Sequence, residues 1–298
     1  MILLVNASIL AWMITDRYQG LRQEEDSIRA AADIAEAAAA ASDSARRAQG
    51  KAEKALIKAQ AAEHICPHRG SSGESLEHSF TAYDEAIRDG AVMIEQDIVI
   101  SAEGTLYVSH DLSPYRMCGV DRAFSDMTDA QIDQLRTYAG EKVLRLSDVF
   151  DRYRDSVQYV VELKSADQRT IDAFIALVEQ YGNQQRVTAE CFEQEVLRIL
   201  EERFPDMPKL FLCRTQAAID QGCELPYADI ISVREDLMTE ANARRVHDSG
   251  KGFSAWPMYN EDEIRRAIDL DTDIYFADDV KLAFTLEEEY GYQKRNEK

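Results

Sequence analysis

Eight short β-rich runs alternate with amphipathic segments from His64 onward, and this order constrains the fold more than any other feature. Parallel strands need long crossover connections, which are usually helices. Eight such units in succession predict an α/β fold, a (β/α)8 TIM barrel, over residues 64–285. The "TLYVSH" run at 105–110 predicts an extra short strand beside the second. The eight runs are 64–66, 92–100, 158–164, 186–192, 209–213, 229–233, 251–256 and 273–277.

Helix boundaries support the same order. Thr128 followed by Gln131, and Asn260 followed by Glu263, have the spacing of helix starts, because the first side chain can cap the backbone of the third residue on. Gly182 follows an apolar face and indicates a helix end. Residues 286–298 are expected to be a charged tail.

The first 15 residues differ from the rest in carrying no charged side chain between Ile2 and Thr15. As a helix this stretch would span ~21 Å, which is short of the ~30 Å hydrocarbon core of a bilayer. No Lys or Arg precedes it, so it lacks the basic start of a signal peptide. We expect it to associate with a membrane, on a side that the sequence does not fix, or with a partner protein. The remainder is expected in the cytoplasm.

Residues 16–63 form an Ala-rich segment with regular three- and four-residue steps. This periodicity predicts a coiled-coil-like stalk that joins copies of the chain, or else a single solvated helix. Alanine buries little surface, so the seam would be weak. Gly50 and the "SDS" at 42–44 are points where the helix could reverse into a hairpin. The seam consists of Ala31, Ile34, Ala38, Ala41, Ala45, Ala48, Ala52, Ala55, Ala59 and Ala62.

The overall charge limits the ligands that the chain can bind. With 34 basic and 55 acidic residues, the net charge is −21, which repels nucleic-acid backbones. An anionic substrate would therefore need local cations or a metal ion. The five cysteines form no C-x-x-C pair, and we expect buried thiols.

Charged residues cluster where the predicted strands end. His68 and Arg69 follow the first strand, and period-two alternation directs Glu95 and Asp97 to the inward face of the second. Glu162 shares the inward face of a later strand with Lys164. Each of these has a structural alternative: Glu162 and Lys164 could form an ion pair, and Glu95 and Asp97 could accept bonds from backbone amides.

Paired carboxylates inside a barrel are unfavourable unless a cation lies between them. Glu95, Asp97 and Glu162 come without a converging Cys or His cluster, so they suit one hard divalent cation, Ca²⁺ or Mg²⁺. His64, His78 and His247 are interpreted as structural.

The ordered set of motifs resembles the glycerophosphodiester phosphodiesterase family, from about His64 to Leu282. Single motifs are weak, whereas their order is specific. The matching residues are HRG (68–70), Phe80 with Gly90-Ala91, EQD (95–97), HD (110–111), ELK (162–164), the segment 190–208 and the Trp256 strand.

The resemblance implies a site for a small glycerophosphodiester. It assigns Glu95, Asp97 and Glu162 to the metal, and His68 and His110 to general acid and base catalysis. Arg69 and Lys164 would bind phosphate oxygens, and Trp256 would pack against the substrate. The implied reaction releases glycerol 3-phosphate and an alcohol, and attack by the neighbouring glycerol hydroxyl would give a cyclic phosphate that water then opens.

The chain departs from the family pattern at three places. Where Pro-Glu-Asn-Thr is usual, we align Gly73-Glu74-Ser75-Leu76. Tyr259 replaces a common asparagine, and Glu190 replaces a neutral amide. These changes affect the expected leaving alcohol rather than the phosphate chemistry.

Two other functions fit the sequence less well. One is a phospholipase-D-like enzyme that acts on lysolipid or sphingolipid headgroups and stops at a cyclic phosphate, which the apolar N-terminus would suit. The other is an inactive barrel used as an oligomeric binding module, which the complete set of catalytic residue types argues against.

Overall fold

The computed structural model describes residues 22, 29, 36–37, 39–42, 44–52 and 54–296, in two units, Met1–Leu56 and Ile57–Lys298. In the first unit, residues 44–52 and 54–56 are helical. The helix passes through Gly50, so the chain does not reverse at this glycine. The apolar segment 1–15 and the first three seam residues, Ala31, Ile34 and Ala38, lie outside the described residues. None of the described helices is both long and apolar enough to cross a membrane.

The second unit contains a nine-stranded sheet. Its strands are β1 Ile65–Pro67, β2 Met93–Ile100, β3 Leu106–Val108, β4 Gln158–Leu163, β5 Val187–Cys191, β6 Lys209–Cys213, β7 Ile230–Arg234, β8 Gly252–Met258 and β9 Ile274–Ala277. Its helices are α1 Phe80–Asp89, α2 Tyr115–Cys118, α3 Asp129–Asp133, α4 Leu146–Tyr153, α5 Gln168–Tyr181, α6 Gln194–Arg203, α7 Gln216–Glu224, α8 Glu240–Asp248, α9 Glu261–Asp269 and α10 Val280–Asn296. Short 3-10 turns cover Phe124–Asp126 and Glu235–Leu237.

The strand order β1-β9-β8-β7-β6-β5-β4-β2-β3 is that of a (β/α)8 barrel with one added strand. All ladders are parallel except the hairpin of β2 with β3. Each predicted strand is present within two residues of its expected bounds. Among the described residues no ladder joins β1 to β2, and the backbone N–H of Arg69 instead donates to Glu95 Oε2 at 2.5 Å.

Side-chain caps begin the helices as the sequence spacing predicts. Thr128 and Gln131 form a complete capping box at the start of α3, and Asn260 accepts from the Glu263 N–H at the start of α9. Ser79 accepts from the Ala82 N–H and starts α1. Capping of this kind satisfies backbone donors that the first helical turn leaves unpaired.

Two apolar layers separate the site from the rest of the barrel. The larger one lies between strands and helices. A smaller one fills the inside of the barrel with Cys66, Met93, Val160, Leu210, Leu212 and Phe276. Because β side chains alternate, Met93 and Val160 face the interior two residues before Glu95 and Glu162. The interior therefore changes from apolar to acidic toward the carboxyl ends of the strands.

The C-terminal segment does not form a separate tail. Helix α10 runs to Asn296, and Leu286 within it is buried. The expectation of a charged tail over 286–298 is therefore wrong for its described part. The segment is rich in charged residues, but apolar residues recur among them at helical spacing.

The turn after β1 depends on a glycine. Gly70 has φ +85°, and a Cβ there would lie 2.8 Å from the Ala82 Cβ, because the Ser71 N–H donates to the Ala82 carbonyl at 3.0 Å. This contact holds the HRG turn against α1.

We expect Gly70→Ala to lower the free energy of unfolding by more than about 2 kcal/mol, through backbone strain and the clash with α1. Gly104→Ala is the matched control, since Gly104 has φ +95° with open space around it, and should cost about 1 kcal/mol. Urea unfolding of both variants measures the difference. Equal losses would show that the contact with α1 is unimportant.

Candidate active site

A row of carboxylates crosses three adjacent strands at the carboxyl end of the barrel. Asp97 on β2 pairs in register with Glu162 on β4, and Glu162 pairs with Glu190 on β5. Register partners on parallel strands point to the same face and are about 4.8 Å apart. Glu95 lies one inward position before Asp97. All four side chains are buried.

Two basic side chains, those of Lys164 and Arg69, lie among these carboxylates. Lys164 Nζ is 2.9 Å from Glu162 Oε1 and 3.4 Å from Asp97 Oδ1. Arg69 Nε is 3.3 Å from Oδ2, the other carboxylate oxygen of Asp97. Glu162 and Lys164 do form the ion pair that the sequence analysis named as their structural alternative. The pair nevertheless faces the same pocket as His68 and His110.

The four carboxylates do not share these two cations equally. Burial would raise the pKa of Asp97, but the bond from His78 and the charge of Lys164 hold it well below its usual range. Burial and the Asp97 charge raise the pKa of Glu162 to about 8. Burial, with Asp97 or Glu162 nearby, raises the pKa values of Glu95 and Glu190 well above the ordinary range. A cation bound beside these carboxylates would favour their ionised forms.

The residues present fit a divalent cation. One ligand atom each from His78, Glu95 and Asp97 lies within 4.8 Å of the others, and the buried Oε2 of Glu190 has no hydrogen-bond partner in the described chain. Oxygen donors dominate the set, as Mg²⁺ and Ca²⁺ require. The closest triad contains His78 in place of the expected Glu162, which contacts Lys164 instead.

Each of the two expected catalytic histidines is oriented by a carboxylate. His68 Nδ1 is 2.6 Å from Asp278 Oδ1, and His110 Nδ1 is 2.8 Å from Asp111 Oδ1. In both, the contact through Nδ1 leaves Nε2 for proton exchange. Burial lowers the pKa of His110, which favours its neutral form at neutral pH. Asp278 follows β9, so the last strand supplies the carboxylate that orients His68.

Arg69 is held in place by an acid that the sequence did not single out. Glu77 Oε2 accepts from Arg69 Nη1 at 3.0 Å, and Glu77 Oε1 accepts from Arg116 Nη2 at 2.6 Å. Burial alone would raise the pKa of Glu77, but Arg116 and Arg69 lower it to about 2. Glu77 thus stays ionised and fixes Arg69 beside the carboxylate row.

His78 contacts the carboxylate row but does not line the pocket. It precedes α1, has φ +54° and is buried. Its Nε2 lies 2.8 Å from Asp97 Oδ2, and its Nδ1 lies 3.0 Å from the Tyr83 hydroxyl. Burial lowers the pKa of His78.

The segment 73–79 also corrects the alignment with the Pro-Glu-Asn-Thr pattern. Glu74, which was matched to that glutamate, is exposed. Glu77 and His78 contact Arg69 and Asp97 instead, and Ser79 caps α1. The pattern therefore corresponds to Leu76–Ser79, three residues later, and the asparagine position is taken by His78.

An aromatic wall faces the acidic side of the pocket. Phe192 and Trp256 meet edge to face with ring centroids 5.5 Å apart, and Phe276 and Leu212 line the same pocket. The indole Nε1 of Trp256 donates to the Ser232 carbonyl at 3.3 Å. Trp256, expected to contact substrate, thus lies in the pocket. Tyr259 is exposed and does not line it.

A larger cavity lies elsewhere. About 590 Å³ in volume, it is lined by residues at the amino ends of β4 and β5, including Gln158 and Arg186. Barrel enzymes have their chemistry at the carboxyl ends of the strands, and the described lining includes neither histidine nor a carboxylate row. We therefore assign the reaction to the smaller, acidic pocket.

Solved structures share the barrel. A glycerophosphodiester phosphodiesterase from Agrobacterium tumefaciens aligns with TM-score 0.64 and 24% identity, over 74% of this chain and 99% of its own. A phosphodiesterase from Oleispira antarctica, solved with the product sn-glycerol-3-phosphate, aligns with TM-score 0.69 and 18% identity, over 75% and 96% of the two chains.

Sequence relatives carry related activities. A glycerophosphodiester phosphodiesterase of Bacillus subtilis is 25% identical over 232 residues, 68% of this chain and 78% of the relative. A human lysophospholipase D is 23% identical over 258 residues, 70% of this chain and 81% of the relative.

The barrel and its pocket define a phosphoric diester hydrolase. A profile of the glycerophosphoryl diester phosphodiesterase family matches residues 68–282, which is most of the chain. The chain belongs to this family.

The Glu77 network predicts a pH-dependent loss of stability. Because the pKa of Glu77 is about 2 in the folded chain and 4.5 ordinarily, its ionised form stabilises the fold above pH 4.5, and this contribution disappears as the pH falls toward 2. Glu77→Gln should lower the free energy of unfolding by about 2 kcal/mol at pH 7.

The difference from the unsubstituted chain should shrink between pH 4.5 and pH 3, as measured by urea unfolding. Glu74→Gln, at an exposed position three residues earlier, should change stability by less than about 0.5 kcal/mol. A Glu77→Gln deficit that is constant with pH would exclude the ionic explanation.

Proposed function

We propose that this protein hydrolyses glycerophosphodiesters to glycerol 3-phosphate and an alcohol, with one divalent cation, Ca²⁺ or Mg²⁺. The observation that carries the proposal is the meeting of three groups at one end of the barrel. These are the buried carboxylate row, the two cations Arg69 and Lys164, and the two carboxylate-oriented histidines.

Arg69 and Lys164 would bind the phosphate oxygens. Both are mostly buried and fixed by ion pairs, Arg69 to Glu77 and Lys164 to Glu162. A fixed guanidinium and ammonium offset the negative charge that grows on the phosphoryl oxygens in the transition state, and they need no rearrangement to do so. Their placement beside the carboxylates also gives the phosphate a position next to any bound cation.

Glu95, Asp97 and Glu162 would hold the cation, with His78 and Glu190 adjoining them. When bound, the cation supplies Lewis-acid polarisation of the phosphate and neutralises part of the acidic cluster. Burial and the Asp97 charge raise the pKa of Glu162 to about 8, so cation binding would be coupled to deprotonation of this side chain.

His68 and His110 would exchange protons with the substrate. Neutral His110 accepts the proton of the attacking hydroxyl, which belongs to water or to the neighbouring glycerol carbon. Protonated His68 donates to the departing alkoxide, so the alcohol leaves neutral. Asp278 and Asp111 hold the imidazoles in the orientation that presents Nε2. If the glycerol hydroxyl attacks, the cyclic phosphate is opened by water with the roles reversed.

Removal of the cation should abolish turnover. We expect EDTA to stop release of glycerol 3-phosphate from glycerophosphoethanolamine, and Ca²⁺ or Mg²⁺ to restore it. Glu162→Ala should reduce cation affinity by about tenfold or more, measured by titration calorimetry, and should reduce turnover accordingly. Glu202→Ala on the exposed face of α6 is the control. Full activity in EDTA would contradict the proposal.

Replacing His110 should lower kcat far more than replacing His247, although both histidines contact a carboxylate. His110→Ala should lower kcat by roughly 10²–10⁴-fold, the usual contribution of a general acid or base. His247 also contacts a carboxylate, Asp273 at 2.9 Å, but lies outside the pocket. His247→Ala should therefore leave kcat nearly unchanged. Similar losses in both variants would argue against proton transfer by His110.

A further inference from the structure

One arginine joins two carboxylates that lie beside the pocket. Arg116 lies on α2, and its side chain is 47% exposed. Its Nη1 and Nη2 donate to Glu77 Oε2 at 3.0 Å and to Glu77 Oε1 at 2.6 Å, and its Nε donates to Asp111 Oδ2 at 2.6 Å. All three guanidinium nitrogens are therefore bonded, and the guanidinium bridges the two carboxylates.

Each of these carboxylates also holds a residue that lines the pocket. Glu77 Oε2 accepts from Arg69 Nη1 at 3.0 Å, and Asp111 Oδ1 lies 2.8 Å from His110 Nδ1. His110 follows β3 and Arg69 follows β1, two strands that no ladder connects among the described residues. The contacts form one unbroken line, which runs through His110, Asp111, Arg116, Glu77 and Arg69.

We propose that Arg116 is a positioning residue that fixes His110 and Arg69 relative to each other. The inference rests on the proposed function, from which it takes proton transfer by His110 and phosphate binding by Arg69. Arg116 does not line the pocket, so it acts through Glu77 and Asp111 rather than on the substrate. Both pocket residues must meet the same phosphodiester, so their relative placement decides whether the reacting atoms are aligned.

The shape of the guanidinium explains why an arginine suits this position. A guanidinium presents its donors in a rigid planar fork, so its Nη pair can bond one carboxylate while Nε bonds another. A lysine ammonium has the same charge but is a compact donor without this fork. Among the described residues, the Asp111 carboxylate has two side-chain partners, His110 and Arg116. Without the arginine, Asp111, which is 34% exposed, is free to turn toward water and no longer holds the imidazole.

The carboxylate row does not depend on this arginine. In the described chain, the ion pairs of Arg116 are with Glu77 and Asp111, neither of which belongs to the row. Arg69 keeps its own contact with Asp97, at 3.3 Å. Loss of Arg116 should therefore disturb the alignment of two pocket residues and leave the proposed cation site intact.

A substitution that preserves the charge tests the inference. Arg116→Lys keeps the positive charge and removes the fork. With glycerophosphoethanolamine as substrate, kcat should fall roughly tenfold to a hundredfold, the loss expected when reacting groups are slightly misplaced, and KM should stay within about threefold. Calorimetry should show cation affinity within about twofold of the unsubstituted chain. The binding stoichiometry counts folded sites, so kcat is expressed per folded site.

Arg198 provides the matched control. It lies on α6, its side chain is 42% exposed, and its three guanidinium nitrogens also bond two carboxylates, those of Glu195 and Glu202. None of these three residues lines the pocket. Arg198→Lys should therefore leave kcat within about twofold.

Three kinetic results would overturn the inference. Equal kcat values in Arg116→Lys and Arg198→Lys would show that the bridge is unimportant. A normal kcat in Arg116→Lys with a large loss in Arg116→Gln would show that the charge suffices. A loss of cation affinity that matches the loss of kcat would show that Arg116 acts through the carboxylate row.

A measurement without turnover separates this inference from the proposed function. The imidazole N–H of His110 that faces Asp111 should exchange slowly with water and give a resolved proton NMR signal, assigned by its absence in His110→Gln. We expect Arg116→Lys to lose this signal and Arg198→Lys to keep it. If this result comes without any hydrolysis of glycerophosphodiesters, the proposed reaction fails and the positioning role stands. An active Arg116→Lys protein that keeps both the signal and kcat overturns only the inference.

Discussion

Repulsion among four buried carboxylates is the constraint on which this site depends. Asp97, Glu162 and Glu190 are in register on neighbouring strands, so the backbone ladder fixes their separation and they cannot move apart. Burying such charges without partners is costly. The cations Arg69 and Lys164 reduce the repulsion, while burial, together with the neighbouring carboxylates, raises the pKa values of Glu95 and Glu190. The divalent cation that we propose for this pocket would relieve the repulsion that the barrel geometry imposes.

The pocket is divided into two chemically different halves. The ends of β1, β2, β4 and β5 supply the acids and fixed cations, whereas Phe192, Arg214 and Trp256 come from the ends of β5, β6 and β8. Below both halves, the apolar interior residues exclude water from the floor. A phosphodiester has a charged centre and two less polar arms, so its own polarity orients it in such a pocket. The lower local dielectric also strengthens every ionic contact on the acidic half.

The sequence predicted most of the fold because strand alternation and helix caps are local signals. It placed Glu95 and Asp97 inward for the same reason. The sequence did not reveal the roles of Glu77, His78 or Asp278, because these roles depend on tertiary contacts that local periodicity does not encode. Asp278, for example, contacts His68, which lies 210 positions earlier in the chain. The loop 73–79 has no repeat to set its register, which explains the three-residue error in its alignment.

The contact of His68 with Asp278 joins the first barrel strand to the residue after the last. Loop closure over such a span is among the slowest and least favourable steps of folding. During synthesis, the ribosome releases β9 after β1 to β8, so a growing chain has its acids and Arg69 before His68 gains its orienting carboxylate. A protein interrupted before β9 also lacks the neighbour on which β1 pairs. The contact between His68 and Asp278 therefore forms only after the last barrel strand is in place.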